Sequence, residues 1–84
     1  MTITIQSILE TEKTIKLLVK YWLVEQYKKI KEQLLLWNIN FSNRLKLRQP
    51  KQDGVWYFRI NQQYRALARY TNSELHVFDI DNHQ

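Results

Sequence analysis

The sequence predicts an α+β chain: a short N-terminal strand, a helical region, and a closing three-stranded antiparallel meander. Three observations predict it. Residues 54–83 fall into three aromatic and aliphatic runs split by polar breaks, residues 10–37 carry apolar side chains at steps of three and four, and residues 2–6 alternate polar and apolar. At 84 residues the chain makes one domain, 1–84, near the lower limit for a self-sufficient core.

At 2–6, Ile3 and Ile5 share one face of a strand, and Ser7 or Thr11 can cap the helical region beyond it. From Glu10 onward, Ile15, Val19, Leu23, Tyr27, Ile30, Leu34 and Trp37 draw a helical stripe, with Lys16, Lys20, Lys28, Lys29, Lys31 and Glu32 opposite. The stripe by itself permits one long helix, since no Gly or Pro interrupts it. Such a helix, about 40 Å long, would overhang so small a sheet. The lysines are expected to be a solvated face, and Leu34, Leu35, Leu36, Trp37 and Ile39 to enter the core. Residues 38–54 form a polar connection holding the only Pro and the only Gly, with turn signals at Pro50 and Asp53-Gly54. Within it Arg44, Lys46 and Arg48 alternate with Leu45 and Leu47. If that segment is extended, its basic residues share one face.

The meander strands are expected over 55–60, 64–70 and 75–80. Asn61-Gln62-Gln63 and Thr71-Asn72-Ser73-Glu74 are the loops, with Asn72 suited to a left-handed backbone. Alternation puts Trp56, Phe58 and Ile60 against the helices, and Val55, Tyr57 and Arg59 on the other face. The second strand presents Arg65 and Arg69 on one face with Leu67 between them. Arg59, Arg65 and Tyr57, with His83 at the margin, suit a phosphate-rich ligand. The plainer alternative is that arginines on an open face are simply solvated.

Composition agrees with a polyanionic partner. There are 13 Lys plus Arg against 8 Asp plus Glu, a net charge of +5 and a pI near 9.6. No cysteine is present, which fits a reducing cytoplasm, and no apolar run is long enough to span a bilayer. His76 and His83 have no metal-ligand spacing, no Gly-rich loop cradles a nucleotide, and Ser7, Ser42 and Ser73 lie in no nucleophile motif. The expectation is therefore no metal and no cofactor. Asp79 and Asp81 share a strand face and are expected to pair with nearby arginines rather than act as an acid/base couple.

The second half of the chain resembles a known family. Residues 56–60 with Arg59, the Tyr64-Arg65 pair that opens the next strand, the ending Asp81-Asn82-His83, and the basic segment Arg44-Leu45-Lys46-Leu47-Arg48 are similar to the RelE/ParE superfamily of toxins from type II toxin–antitoxin systems (YafQ- and HigB-like members among them). That resemblance implies two antiparallel helices, with the break placed near 20–23. It also implies an antitoxin partner and, for the nuclease members, metal-independent cleavage of mRNA on the ribosome. Carried over residue by residue, Arg65 matches the Arg of the Tyr-Arg pair, Arg59 the basic position one strand earlier, Lys46 or Arg48 the loop basics, and His83 the terminal His. The catalytic set is then Arg65, Arg59 and His83, with Lys46, Arg48, Arg44, Tyr57 and Arg69 binding RNA. The helix lysines are an alternative landing surface for ribosomal RNA, and the apolar helix end an alternative seat for an antitoxin helix.

The chemistry fits the residue types. When a 2′-hydroxyl attacks the adjacent phosphate, charge builds on the phosphorane oxygens, and fixed guanidinium groups stabilise it more in the transition state than in the substrate. Arginine stays charged and offers a planar fork of donors, while His83 has the near-neutral pKa that proton transfer needs. ParE-like members share the fold but bind DNA gyrase without cleaving anything, so a gyrase inhibitor is the rival reading. The sequence reads only to Gln84, where most members continue, and an inactive homologue that only binds its antitoxin is the third.

Overall fold

A computed structural model describes residues 4–36 and 45–82. In chain order the elements are β1 (Ser7–Glu10), α1 (Glu12–Lys20), α2 (Val24–Leu36), β2 (Leu45–Leu47), a single 3-10 turn (Lys51–Asp53), β3 (Trp56–Arg59), β4 (Tyr64–Thr71) and β5 (Glu74–Asn82). The strands form one sheet in the order β1-β5-β4-β3-β2, with β1 parallel to β5 and every other pairing antiparallel. The fold class is α+β, as the sequence predicts. One sheet face packs against the helices, where Leu18, Leu23, Tyr27 and Leu34 meet Phe58, Ala66, Leu75 and Val77. Among the described residues no helix covers the other face, which carries Arg59, Arg65 and Arg69. Among the described residues no helix is long and apolar enough to cross a membrane.

Local chemistry sets the helix boundaries. Thr11 caps α1, its hydroxyl accepting from the Thr14 backbone N–H, while the buried Thr14 hydroxyl donates to the Val77 carbonyl at 3.0 Å. The helix then stops without a glycine. Leu23 N–H bonds back to the Leu18 carbonyl at 2.8 Å and Trp22 N–H to the Val19 carbonyl at 3.2 Å, with Trp22 at φ 59°. These two bonds are the paired closure of a Schellman ending, with the hydrophobic couple Leu18 and Leu23 buried beneath it. The break falls where the family resemblance puts it.

That break overturns half of the expected stripe. Leu23, Tyr27, Ile30 and Leu34 are buried, but Ile15 and Val19 are 50% and 62% exposed. Helix α1 instead buries Thr14 and Leu18 and half-buries Leu17, with Tyr21 half-buried at its C-cap. A left-handed residue between two helices resets the angular phase, so no single stripe runs through both. Lys31 also leaves the solvated set, reaching the Glu10 carboxylate at 2.8 Å together with the Tyr27 hydroxyl at 2.8 Å. Of the apolar helix end, Leu34 is buried, Leu35 half-buried and Leu36 77% exposed. Trp37 and Ile39 lie outside the described residues.

The N-terminal strand is Ser7–Glu10, not residues 2–6. Ile3 lies outside the described residues, and Ile5 is buried ahead of the strand. The register is fixed by a remote partner, with Gln6 N–H on the Ser73 carbonyl and Ser7 opposite Glu74. The segment expected to be a polar connection contributes β2, which pairs with β3 through Leu45 opposite Phe58 and Leu47 opposite Trp56. Its alternation is as the sequence implies, Leu45 buried and Lys46 exposed.

The meander appears with the expected order and hairpins. Asn61 Oδ1 accepts from the backbone N–H of Gln63 and of Tyr64, both at 2.8 Å, and so closes the first loop. The second hairpin turns through Asn72 at φ 52° and Ser73 at φ 67°, the two left-handed residues of a type I′ turn. Phe58 and Ile60 enter the core; Trp56 is half-buried at its margin, edge-on to Tyr70 at 6.3 Å. Val55, expected on the open face, is 4% exposed and lies outside the main core cluster.

Candidate nucleic-acid interface

The open face is built by register. Arg59 on β3 stands opposite Arg65 on β4, and Tyr57 opposite Leu67. Lys46 on β2 stands opposite Tyr57, on the far side of β3 from Leu67. On β5 a bulge decides what joins them. Leu67 pairs with Asp79 but Ala68 with Val77, so Phe78 is an extra residue and the strand changes parity there. Leu75 and Val77 point to the core before it and Ile80 after it, which turns Asp79 and Asp81 onto the open face beside Leu67 and Arg65.

Arg65 is the most constrained cation of the face. Its guanidinium lies 4.6 Å from the centroid of the Tyr57 ring, its Nη2 donates to Asp81 Oδ2 at 3.1 Å, and its side chain is 16% exposed. Its Nε is buried without a hydrogen-bond partner. Such a stack and ion pair hold the guanidinium plane in one orientation. Arg59 and Lys46 are exposed, and neither has an ion pair among the described residues. A groove of about 410 Å³ opens beside them, lined by Lys46, Tyr57, Arg59 and the Asn61-Gln62 loop together with Ile30 and Ile60.

Not every expected residue belongs to this cluster. Arg69 is on the same face but four residues further along β4, about 13 Å away at strand rise. It stands opposite His76, lies 5.4 Å over the Phe78 ring, and donates to the Asp53 carbonyl at 2.9 Å. Arg48 follows β2, half-buried, with its backbone N–H on the Val55 carbonyl at 2.7 Å. Arg44 and His83 lie outside the described residues. Asp81 pairs with an arginine as expected, whereas Asp79 pairs with Lys13 at 3.4 Å. Among the described residues no group of three or more His, Asp or Glu could hold a metal. An open sheet face with two guanidinium groups, an ammonium and a tyrosine ring can bind phosphate and stack a base.

No protein-family model matches the sequence, and no curated protein matches it. Solved structures do match. A chain of the E. coli DinJ-YafQ toxin–antitoxin complex superposes with a TM-score of 0.68 at 14% identity, covering 93% of each chain. The YoeB/ParE toxin from Agrobacterium tumefaciens gives 0.65 at 16% identity, over 93% of this chain and 99% of that one. The fold is that of the RelE/ParE toxins. A chain of the Staphylococcus aureus YoeB-YefM complex shares it as well, at a TM-score of 0.67 and 11% identity over 92% of this chain and 95% of that one. In RelE/ParE terms the match spans both layers, helices as well as sheet, and so reaches beyond the second half of the sequence where the motif likeness lies.

Proposed function

We propose that this chain is the toxin of a toxin–antitoxin pair, a cytoplasmic endoribonuclease that cleaves mRNA on the ribosome without a metal and is neutralised by a cognate antitoxin. The observation that carries the reading is the convergence of Lys46, Tyr57, Arg59 and Arg65 on one open sheet face. Its company supports the reading, since the similar structures are toxins and toxin–antitoxin complexes. In this mechanism Arg59 and Lys46 position the scissile phosphate, Arg65 stabilises the phosphorane, Arg44, Arg48 and Arg69 hold flanking phosphates, and His83 transfers the proton. Fixed arginines act where charge develops, so the chemistry needs no Lewis acid.

Induction of the chain in a bacterial host, with 5′ ends of cellular mRNA mapped, tests this directly. Cuts within codons are expected, and Arg65→Ala should lower the cleavage rate about a hundredfold, the effect of removing one donor that acts in the transition state. Arg65→Lys should restore only part of it, because an ammonium lacks the planar fork. Intact mRNA with a DNA-damage response would instead identify a gyrase inhibitor. Intact mRNA with no toxicity would identify a protein that only binds its antitoxin.

A further inference from the structure

We propose that Asp81 is a built-in competitor for phosphate at Arg65: its carboxylate holds the position that a phosphate oxygen of the ligand takes, and ligand binding displaces it. The inference rests on the reading of the open face as a phosphate site, and adds to it how that site is kept when empty.

The pair is asymmetric in a way that favours exchange. The Arg65 side chain is 16% exposed and clamped against the Tyr57 ring, whereas Asp81 is 39% exposed and free to turn into water. The cation stays where the anion can leave. The contact is also incomplete. Asp81 engages Nη2 alone, and Nε is buried with no partner, so the guanidinium fork is used on one prong. A phosphate in the same place offers more acceptor oxygens and can take both prongs. For an RNA phosphodiester the exchange is neutral in charge, one monoanion replacing another.

Register explains why an anion is needed there in the empty state. Arg59 and Arg65 are directly opposite each other, a cross-strand pair of like charges that costs stability, and Asp81 is directly opposite Arg65 on the other side. Asp81 therefore relieves in the free protein the same repulsion that phosphate relieves in the bound one. A residue in that position has effects of opposite sign on stability and on binding. That signature separates it from an aspartate that merely orients Arg65 for its ligand.

The experiment compares Asp81→Asn with the unaltered chain and with Asp79→Asn, which makes the same charge change two residues away on a side chain paired to Lys13. Inorganic phosphate is titrated in while the Arg65 Nε–H signal is followed by NMR, and a 2′-O-methyl RNA oligonucleotide that cannot be cleaved is titrated in parallel. Asp81→Asn is expected to tighten phosphate binding by up to about fivefold, the ceiling for an exposed ion pair, and to lower the thermal midpoint. Asp79→Asn should do less on both probes. Weaker or unchanged phosphate binding in Asp81→Asn overturns the proposal, as does an equal effect from Asp79→Asn. If phosphate shows the expected pattern while the RNA does not bind either protein, the competitor stands and the nuclease reading fails. If the unaltered chain binds both probes and Asp81→Asn changes neither, the open face is a phosphate site as the nuclease reading requires and the competitor fails.

Discussion

At the scale of single residues, Tyr27 joins the two layers through chemistry that responds to pH. Burial first, then its hydrogen bond to Glu10 and the charge on that carboxylate, push its phenol well above the ordinary range. Below about pH 10 the folded and unfolded chains both keep this proton, so the group adds no slope there. Above it the unfolded chain releases the proton and the folded chain does not, so stability falls by up to about 1.4 kcal/mol per pH unit. Tyr27→Phe should remove that slope, checked as the difference between the two proteins' denaturant midpoints at pH 9, 10 and 11. At neutral pH it should cost about 1 kcal/mol for one hydrogen bond, with Lys31 still on Glu10. A steeper alkaline loss in the variant would contradict this. Residue identity and alternation made Tyr57, Arg59 and Arg65 legible as neighbours, because a two-residue period needs only the strand to be recognised. Which aspartate meets Arg65 was not legible. That depends on the bulge at Phe78, and the hint lay in Leu75, Val77 and Ile80, which no unbroken alternation can place on one face.

At the scale of elements, the turn between α1 and α2 holds a residue that suits it poorly. Trp22 occupies the left-handed position where glycine is usual, and its side chain is 91% exposed. A bulky residue there carries a backbone cost of about 1–2 kcal/mol, and replacement by glycine returns part of it to unfolded-state entropy. Trp22→Gly should therefore stabilise the chain by about 0.5–1 kcal/mol, seen as a thermal midpoint several degrees higher. A lower midpoint would show that the indole packs more than its exposure suggests. The same turn marks the limit of the helical periodicity. Steps of three and four run without a gap from Ile15 to Trp37, and nothing in the residues announces that Trp22 turns left-handed. Strand β1 departs from expectation for a related reason. Alternation is confined to residues 2–6 and Ile8-Leu9 breaks it, so only the parallel partner β5 selects Ser7–Glu10.

At the scale of the whole molecule, the excess positive charge is spread over two surfaces, and composition cannot choose between them. Lys28 and Lys29 are exposed on the helix layer, Lys46 and Arg59 on the open sheet face. If RNA lies on the sheet through Lys46, Arg59, Arg65 and Arg69, about four phosphates are neutralised. Single-stranded binding should then weaken about fiftyfold between 50 and 200 mM salt. Reversing Lys46 and Arg59 to Glu should flatten that dependence and lower affinity across all sequences, because phosphate contacts carry no sequence information. The matched pair Lys28→Glu and Lys29→Glu removes the same charge from the other layer. It should leave the salt slope unchanged and shift affinity only by the weak long-range term that salt screens within about 10 Å. The measurement is the affinity of a short non-cleavable RNA for the three proteins over that salt range. Should the helix reversals flatten the slope while the sheet reversals leave it intact, the RNA lies on the helix layer, and Arg65 is a structural arginine held by Tyr57 and Asp81.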